Sequence, residues 1–319
     1  MKKILVTGAS GFVGQALCSS LHAQGHVVRA AVRSSDSITL AGDLDVVAVG
    51  EVGAQTNWSL ALAEMDCVIH CVARTHVMHE KEADALTAYR AVNVDGTRRL
   101  AEQAVESGVK RLVYLSSIKV NGEQTSKDQC FTATDLAMPE DPYGISKCEA
   151  EQVLLGVAAR TELEVVIIRP PLVYGPGVKG NFHSMLKWLS RGIPLPLGAI
   201  DNMRSLVGID NLVSLIITCI NHPAAANQTF LVSDGEDLST ADLLLRLGKA
   251  LHRPARLLPV PASALEVTAQ LVGKKAVAQR LLTNLQVDIS KTREVLDWRP
   301  PESVDEGLQK TADWFLSQR

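Results

Sequence analysis

Short apolar runs alternate with longer amphipathic stretches over the first half of the chain. The apolar runs lie at Ile4–Val6, Val27–Val32, Leu44–Val49, Cys67–Val72, Arg111–Ser116 and Glu164–Arg169. Runs of this length, rich in β-branched residues and apolar on both faces, are typical of strands in a parallel sheet that helices cover. Amphipathic stretches follow at Val13–Gln24, Ala88–Ser107 and Tyr143–Ala159. The alternation predicts an α/β fold with a doubly wound parallel sheet and right-handed crossovers.

The second half has a different pattern. Prolines and glycines are dense after Arg169, in residues 170–177 and 192–198, and this density predicts long loops. One further strand, which would return to the main sheet, and two helices are predicted at Phe230–Val232, Ser239–Leu251 and Val304–Leu316. We therefore predict a sheet domain of residues 1–170, to which 205–235 returns, and a smaller, mostly helical substrate lobe of residues 171–204 and 236–319.

The first strand ends in a glycine-rich turn, Thr7-Gly8-Ala9-Ser10-Gly11-Phe12-Val13-Gly14, and helical periodicity follows at once. Glycine lets a pyrophosphate approach the backbone, and a helix N-terminus offers it free N–H groups and partial positive charge. The spacing is Gly-x-x-Gly-x-x-Gly, not the Gly-x-Gly-x-x-Gly of most dinucleotide fingerprints. The turn still predicts a dinucleotide site in a Rossmann-type sheet, with candidate contacts at Gly8, Ser10, Gly11, Phe12, Val13 and Gly14.

The end of the second strand bears on which dinucleotide is bound. A carboxylate there would accept hydrogen bonds from a ribose 2′-hydroxyl, whereas an arginine would accommodate a 2′-phosphate. The strand ends without an acid, and Arg33 stands just beyond it, followed by two serines. Arg33 therefore favours NADP(H), with NAD(H) as the alternative.

Composition limits the possible partners. The chain has 319 residues, 46% hydrophobic and 21% charged, with a net charge of −3 and scattered basic residues. This argues against a nucleic-acid partner, and no apolar run reaches the length of a membrane span. The run after Lys2-Lys3 ends at Thr7, too short for a secretory signal. Six dispersed cysteines without a Cys-x-x-Cys pair suggest neither disulfides nor a metal site. We predict a cytoplasmic location.

A tyrosine and a lysine one helical turn apart are the candidate catalytic groups. Asp141 is a plausible N-cap and Pro142 suits the first helical position, which places Tyr143 and Lys147 at i and i+4 on one face. A tyrosine is a poor acid–base group at its usual pKa, but the ammonium, together with an oxidised nicotinamide, would bring that pKa toward neutrality. Ser117, just past the fifth strand, could hydrogen-bond a reacting oxygen, and Ser116 is the competing candidate that would face the other way.

Several segments together resemble the extended short-chain dehydrogenase/reductase family, and within it the nucleotide-sugar epimerases, dehydratases and 4-ketoreductases. They are Thr7–Gly14, Asn93-Val94-Asp95-Gly96-Thr97, Ser116-Ser117, Tyr143-x-x-x-Lys147, Arg169-Pro170-x-x-Val173-Tyr174-Gly175-Pro176 and Val304-Asp305-Glu306-Gly307-Leu308. The resemblance implies that Tyr143 is the acid–base residue, that Lys147 also binds the nicotinamide ribose and that Ser117 completes the catalytic set. It also implies that Asn93 positions the cofactor and the active-site backbone. A homodimer paired through Ala88–Ser107 and Tyr143–Ala159 is implied as well.

Departures from the family patterns separate the subclasses. Dehydratases of this family carry an Asp-Glu pair where this chain has Ile118-Lys119, so dehydration is not expected. Lys119 could line the sugar pocket, or it could be only a solvated charge near the pocket rim. Classical 4-epimerases have an acid at the second strand, and an asparagine where this chain has Leu172.

Other residues resemble substrate contacts of the family. Asn181-Phe182 resembles the segment that packs under the nucleotide base, and Arg204 resembles the arginine that pairs with the pyrophosphate, a role that suits a bidentate guanidinium. His76 follows the fourth strand and could line the sugar pocket, although a lone histidine is more often structural.

The favoured function is NADPH-dependent reduction of the C4 keto group of a nucleotide sugar, with UDP as the expected nucleotide, in surface-polysaccharide precursor synthesis. The alternative is an NAD-dependent nucleotide-sugar 4-epimerase, since the same residues serve both reactions. A non-catalytic dinucleotide-sensing protein is a remote third hypothesis, because such proteins commonly lose the tyrosine or the lysine.

Overall fold

The computed structural model describes residues 1–34, 44–75, 82–271, 273 and 275–318. Its strands are β1 (Lys3–Thr7), β2 (Val27–Val32), β3 (Asp45–Ala48), β4 (Cys67–His70), β5 (Arg111–Leu115), β6 (Glu164–Arg169), β7 (Leu172–Tyr174), β8 (Arg204–Gly208), β9 (Gln228–Leu231) and β10 (Asp237–Leu238). Its helices are α1 (Phe12–Ala23), α2 (Ser59–Leu62), α3 (Glu82–Tyr89), α4 (Gly96–Glu106), α5 (Pro142–Ala158), α6 (Gly180–Ser190), α7 (Ile209–Asn221), α8 (Thr240–Ala250), α9 (Ala262–Leu271), α10 (Lys275–Leu282), α11 (Ser290–Leu296) and α12 (Val304–Ser317).

Seven strands form one parallel sheet in the order β3-β2-β1-β4-β5-β6-β9. The doubly wound parallel sheet that the sequence predicts is confirmed. The strand order reverses between β1 and β4, whose last residues Thr7 and His70 are partners in the register. In open sheets of this type ligands bind outside the carboxyl ends of the strands at such a reversal. The glycine-rich turn after Thr7 lies there.

Helices cover both faces of the sheet. On one face α1 and α7 pack into a common core through Leu17, Leu21, Leu212 and other apolar residues. On the other face α4 and α5 bury apolar side chains of their own, among them Leu100 and Leu154. Because both faces are covered, the strands carry apolar residues without alternation.

A second, smaller sheet has the order β10-β8-β7, and it lies beside a separate core formed by α6, α8 and α12. The strand β9 pairs with β6, so this part of the second half returns to the main sheet. The prediction of long loops after Arg169 was wrong in part, since β7 lies within residues 170–177, and the helix α6, which lies between the two predicted loops, was not predicted. The core residues of α6 follow helical spacing, Phe182, Met185, Leu186 and Leu189. The neighbouring prolines and glycines concealed this signal.

Among the described residues, no helix is both long and apolar enough to cross a bilayer. The six cysteines are unpaired. In the same described ranges no group of histidine, cysteine and acidic residues could hold a metal ion.

Candidate active site

The turn between β1 and α1 is shaped so that only glycine fits at two of its positions. Gly8 has φ +66°, and a Cβ there would lie 3.0 Å from the backbone nitrogen of Val72. A Cβ on Gly14 would lie 2.2 Å from the carbonyl oxygen of Gly8. Gly11 is the N-cap of α1, and no side chain caps this helix. An open helix N-terminus behind a glycine cradle fits the pyrophosphate of a dinucleotide. Ser10, Phe12 and Val13 lie in the same turn and first helical positions.

Arg33 follows β2, as the sequence indicates, but it has an acidic neighbour. Its Nε lies 3.3 Å from Oε1 of Glu51, and the two side chains are 76% and 78% exposed. A carboxylate at this position would repel a 2′-phosphate and could accept hydrogen bonds from a 2′-hydroxyl. This arrangement does not support the predicted preference for NADP(H).

The helix α5 begins as the sequence predicts. Asp141 is its N-cap and accepts a hydrogen bond from the backbone nitrogen of Gly144 at 2.7 Å, and Pro142 occupies the first helical position. Tyr143 and Lys147 therefore lie one turn apart on this helix, next to the carboxyl end of β5.

Lys147 is fully buried beneath the site. Its Nζ donates a hydrogen bond to the carbonyl oxygen of Leu115 at 2.7 Å and lies 4.1 Å from the centre of the Tyr114 ring. Burial lowers the pKa of Lys147 to about 7, while the charge of Glu151 acts in the opposite direction. The ammonium is thus held by a carbonyl, an aromatic face and a nearby carboxylate.

Tyr143 lies against two other groups of the site. Its ring meets Tyr89 edge-on, with the ring centres 6.0 Å apart. Desolvation raises its pKa well above the ordinary value, and the charge of Asp141 adds to this, whereas a hydrogen bond with Ser117 acts to lower the pKa. The protein alone therefore keeps the phenol protonated. The shift toward neutrality that the sequence suggests requires the positive charge of an oxidised nicotinamide in addition.

The two serines after β5 face different surroundings. Ser116 is buried and donates a short hydrogen bond to Oε1 of Glu151. Ser117 hydrogen-bonds with Tyr143, and its Oγ also accepts from the backbone nitrogen of Lys119 at 3.3 Å. The structure thus brings Ser117, and not Ser116, to the phenol.

Asn93 lies in a π-helical segment, Arg90–Asp95, that joins α3 to α4. Its Oδ1 accepts from the backbone nitrogen of Arg74 at 2.8 Å, and its Nδ2 donates to the carbonyl oxygen of Arg74 and to Oγ of Ser146. Asn93 therefore holds the loop after β4 against α5. Segments of π-helix are frequent at functional sites.

A buried ion pair below the site was missed by the sequence reasoning. Arg169 and Glu151 form two parallel contacts, Nη2 to Oε2 at 2.6 Å and Nε to Oε1 at 3.0 Å, with side chains 9% and 4% exposed. Nη1 of Arg169 also donates to Oδ1 of Asn121 at 2.9 Å. Glu151 lies one turn after Lys147, and Arg169 ends β6 directly after four buried apolar residues. A charge at the end of a buried strand was the signal that could have revealed the pair.

The predicted substrate contacts are distributed as follows. His76 lies outside the described residues. Phe182 is 1% exposed, and its ring stacks on Tyr174 with centres 5.5 Å apart, while Asn181 beside it is exposed. Arg204, at the start of β8, is half-buried and donates to the carbonyl oxygen of Thr283 at 2.9 Å. Contacts of these side chains with a substrate stay predictions.

The parallel sheet, the glycine turn and the Ser117–Tyr143–Lys147 arrangement are those of a dinucleotide-dependent enzyme of the short-chain dehydrogenase/reductase type. The sequence model of the NAD dependent epimerase/dehydratase family matches residues 4–233. The chain belongs to this family.

Two curated sequences and one solved structure are similar to this chain over nearly its whole length. The chain is 50% identical over 317 residues to a UDP-glucose 4-epimerase from Vibrio cholerae, covering 99% of this chain and 96% of the relative. It is 28% identical over 328 residues to an N-acetyl-alpha-D-glucosaminyl-diphospho-ditrans,octacis-undecaprenol 4-epimerase from Escherichia coli O157:H7, covering 98% and 94%. The crystal structure of a UDP-glucuronic acid 4-epimerase from Bacillus cereus with NAD superposes with a TM-score of 0.80 at 21% identity, covering 99% and 97%. The two sequence relatives are both 4-epimerases by name, and the solved structure shows that the fold is shared.

Proposed function

We propose that this enzyme is an NAD-dependent 4-epimerase of UDP-sugars, with UDP-glucose and UDP-galactose as the first substrates to test. The observation that carries the proposal is the 50% identity to a UDP-glucose 4-epimerase over 99% of the chain. The candidate catalytic residues Ser117, Tyr143 and Lys147 are all present and suit this reaction. The 4-epimerase hypothesis therefore replaces 4-keto reduction as the favoured function.

The chain's own groups would carry the proton at C4. Tyr143 would accept the proton of the C4 hydroxyl and later return it to the C4 oxygen, which is general base and then general acid catalysis. Ser117, which lies beside the phenol, would turn its hydroxyl to donate a hydrogen bond to the C4 oxygen and stabilise charge that develops on it. Bound NAD supplies the acceptor and donor of the C4 hydride. Lys147 would favour the phenolate through its positive charge.

NAD is proposed over NADP for two reasons. Arg33 already has Glu51 as an ion-pair neighbour, which opposes a 2′-phosphate. The family is NAD-dependent by its description, and the Bacillus cereus relative holds NAD. The residues proposed to hold the dinucleotide are Gly8, Ser10, Gly11, Phe12, Val13, Gly14, Asn93, Tyr143 and Lys147.

The smaller lobe, residues 171–204 and 236–319, is proposed to hold the nucleotide sugar, with Arg204 on the diphosphate. Arg204→Met should then raise KM for UDP-sugars while NAD binding is unchanged. An unchanged KM would remove Arg204 from the substrate site.

We also propose a homodimer through α4 and α5. These helices border a surface groove that both apolar and charged side chains line, a mixture that interfaces also show. The lining residues are Val94, Arg98, Glu149, Gln152, Val153, Gly156 and Arg160. Sedimentation should give a dimer, and Val153→Glu should dissociate it by burying an unpaired charge. A wild-type monomer at micromolar concentration would contradict this.

The experiment that tests the function is incubation with UDP-glucose, UDP-galactose and their N-acetylated forms without added reductant. An epimerase gives an equilibrium mixture of both sugars and leaves no net change in cofactor. A reductase would instead consume NADPH stoichiometrically with a UDP-4-keto sugar. Tyr143→Phe should abolish turnover while NAD still binds, and unchanged turnover would show that the assigned chemistry is wrong.

A further inference from the structure

Lys119 lies between two carboxylates at the edge of the catalytic site. It belongs to the short 3₁₀ turn Ile118–Val120 that begins directly after Ser117. Its Nζ lies 2.8 Å from Oε1 of Glu123 and makes a still closer contact with Oδ2 of Asp141. The Lys119 side chain is only 20% exposed. It is therefore not a freely solvated charge.

This ion pair joins the two segments that carry the catalytic oxygens. One oxygen of Asp141 caps α5 through the backbone nitrogen of Gly144, and the other receives Lys119. The backbones also approach closely here, because a Cβ on Gly144 would lie 2.8 Å from the carbonyl oxygen of Lys119. The turn that follows Ser117 and the first turn of the helix that carries Tyr143 are thus fastened side by side.

The same ion pair sets the charge next to the phenol. Asp141 raises the pKa of Tyr143, since a carboxylate opposes the formation of a nearby phenolate. The other titratable groups next to Tyr143 are Tyr89 from α3 and Tyr114 from β5, and Lys147 lies one turn further along the same helix. Among these groups Asp141 is the carboxylate, and Lys119 is the cation that pairs with it.

We propose that Lys119 is a positioning residue of the reaction, which fastens the Ser117 turn to α5 and neutralises Asp141 so that the Tyr143 phenolate can form. The kinetic part of this inference rests on the proposed 4-epimerase function. The charge effect on the phenol does not, because it can be measured without turnover.

The test compares Lys119→Met, Lys119→Met/Asp141→Asn and Glu123→Gln with the wild type, all saturated with NAD. Tyrosinate absorbance is followed against pH, and the same titration of Tyr143→Phe is subtracted so that only Tyr143 remains. In Lys119→Met the midpoint should rise by about one pH unit, because the Asp141 charge is left uncompensated. The double variant should return to the wild-type midpoint, since asparagine caps a helix as well as aspartate does.

Glu123→Gln is the matched control, since it removes the other carboxylate on Lys119 and leaves the Lys119–Asp141 pair in place. Its midpoint should equal that of the wild type. With a UDP-sugar as substrate and at a pH below the Tyr143 midpoint, the kcat of Lys119→Met should be about tenfold lower than that of the wild type, which corresponds to a shift of one pH unit. KM should be unchanged. Lys119→Arg should restore most of the rate.

The inference is overturned if the Tyr143 midpoint of Lys119→Met equals that of the wild type, or if the midpoint of the double variant remains above that of the wild type. Should Lys119→Met fail to fold, the single variant Asp141→Asn tests the inference instead. Its Tyr143 midpoint must lie below that of the wild type. If the wild type epimerises no UDP-sugar, the proposed function fails, while the absorbance titration still tests the role of Lys119.

Discussion

Replacing Glu151 by glutamine tests the buried charges beneath the site. The substitution keeps the size and shape of the side chain but removes its charge. Arg169 would then remain in the core, 9% exposed, with the carbonyl group of an amide and Asn121 as its neighbours. Breaking one partner of a buried pair costs more than the pair itself contributes, because the remaining charge is uncompensated.

The expected cost in unfolding free energy is about 3–5 kcal/mol. In a chain of this size that corresponds to a fall in Tm of roughly 5–10 °C. Glu64→Gln is the matched control, since its partner Lys3 lies on the surface and the two side chains are 78% and 46% exposed. An exposed pair of this kind contributes little to stability, so Glu64→Gln should have the same Tm as the wild type.

A second effect follows for Lys147. Burial lowers its pKa to about 7 against the opposing charge of Glu151, so removing that charge lowers the pKa further. Activity that requires the ammonium is lost as pH rises through this pKa. The basic limb of the pH–rate profile should therefore move to lower pH in Glu151→Gln.

The assays are thermal unfolding followed by circular dichroism and the pH dependence of kcat/KM for UDP-sugar epimerisation. In Glu151→Met/Arg169→Met both charges are removed, and the loss of stability should be smaller than in Glu151→Gln because no buried charge is left alone. If Glu151→Gln has the same Tm as Glu64→Gln and the basic limb of its pH–rate profile does not move, the reasoning about the buried pair is wrong.

Three further predictions concern the turn, the sheet and the last helix. Gly14→Ala should weaken NAD binding at least tenfold by calorimetry, because its Cβ would lie 2.2 Å from the carbonyl oxygen of Gly8, whereas Gly156→Ala, with no atom within 4 Å, should bind normally. Burial lowers the pKa of His70 to about 3, so as the pH falls His70 is protonated in the unfolded chain before it is protonated in the folded protein. The free energy of unfolding, measured by urea titration, should therefore fall between pH 6.5 and 3. It should fall less in His70→Gln. Ser303→Ala removes the N-cap and capping box of α12 and should cost about 1 kcal/mol in urea unfolding.

The parts of the fold that depend on neighbouring residues could be predicted from the sequence. The glycine turn, the Asp141 cap and the spacing of Tyr143 and Lys147 are each fixed within a few residues. The seven strands of the parallel sheet were also found to within two residues, because strands buried on both faces have a simple apolar signature, whereas the three strands of the smaller sheet were not predicted. The separation of Ser116 from Ser117 follows from the alternation of side chains along an extended backbone.

The features that were missed depend on residues far apart in the chain. Glu51 meets Arg33 because β3 lies beside β2, and this neighbour takes support away from the argument for NADP(H). The π-helical segment around Asn93 depends on packing against α5 through Ser146. Charge partners and helix registers of this kind have no local pattern, so a single sequence does not reveal them.

The helix α5 determines where Ser117 stands as well as supplying its catalytic partner. Upstream of Ser117, Ser116 is held by Glu151. Downstream, Asp141 holds Lys119. Asn121, at the end of the same turn, is bonded to Arg169, which Glu151 also holds. The backbone on both sides of Ser117 is therefore tied to the helix that carries Tyr143 and Lys147, so the serine cannot shift relative to the phenol without breaking a charged contact. Since such contacts are strongest where water is excluded, we expect Ser117 to stay beside the phenol whether or not substrate is bound.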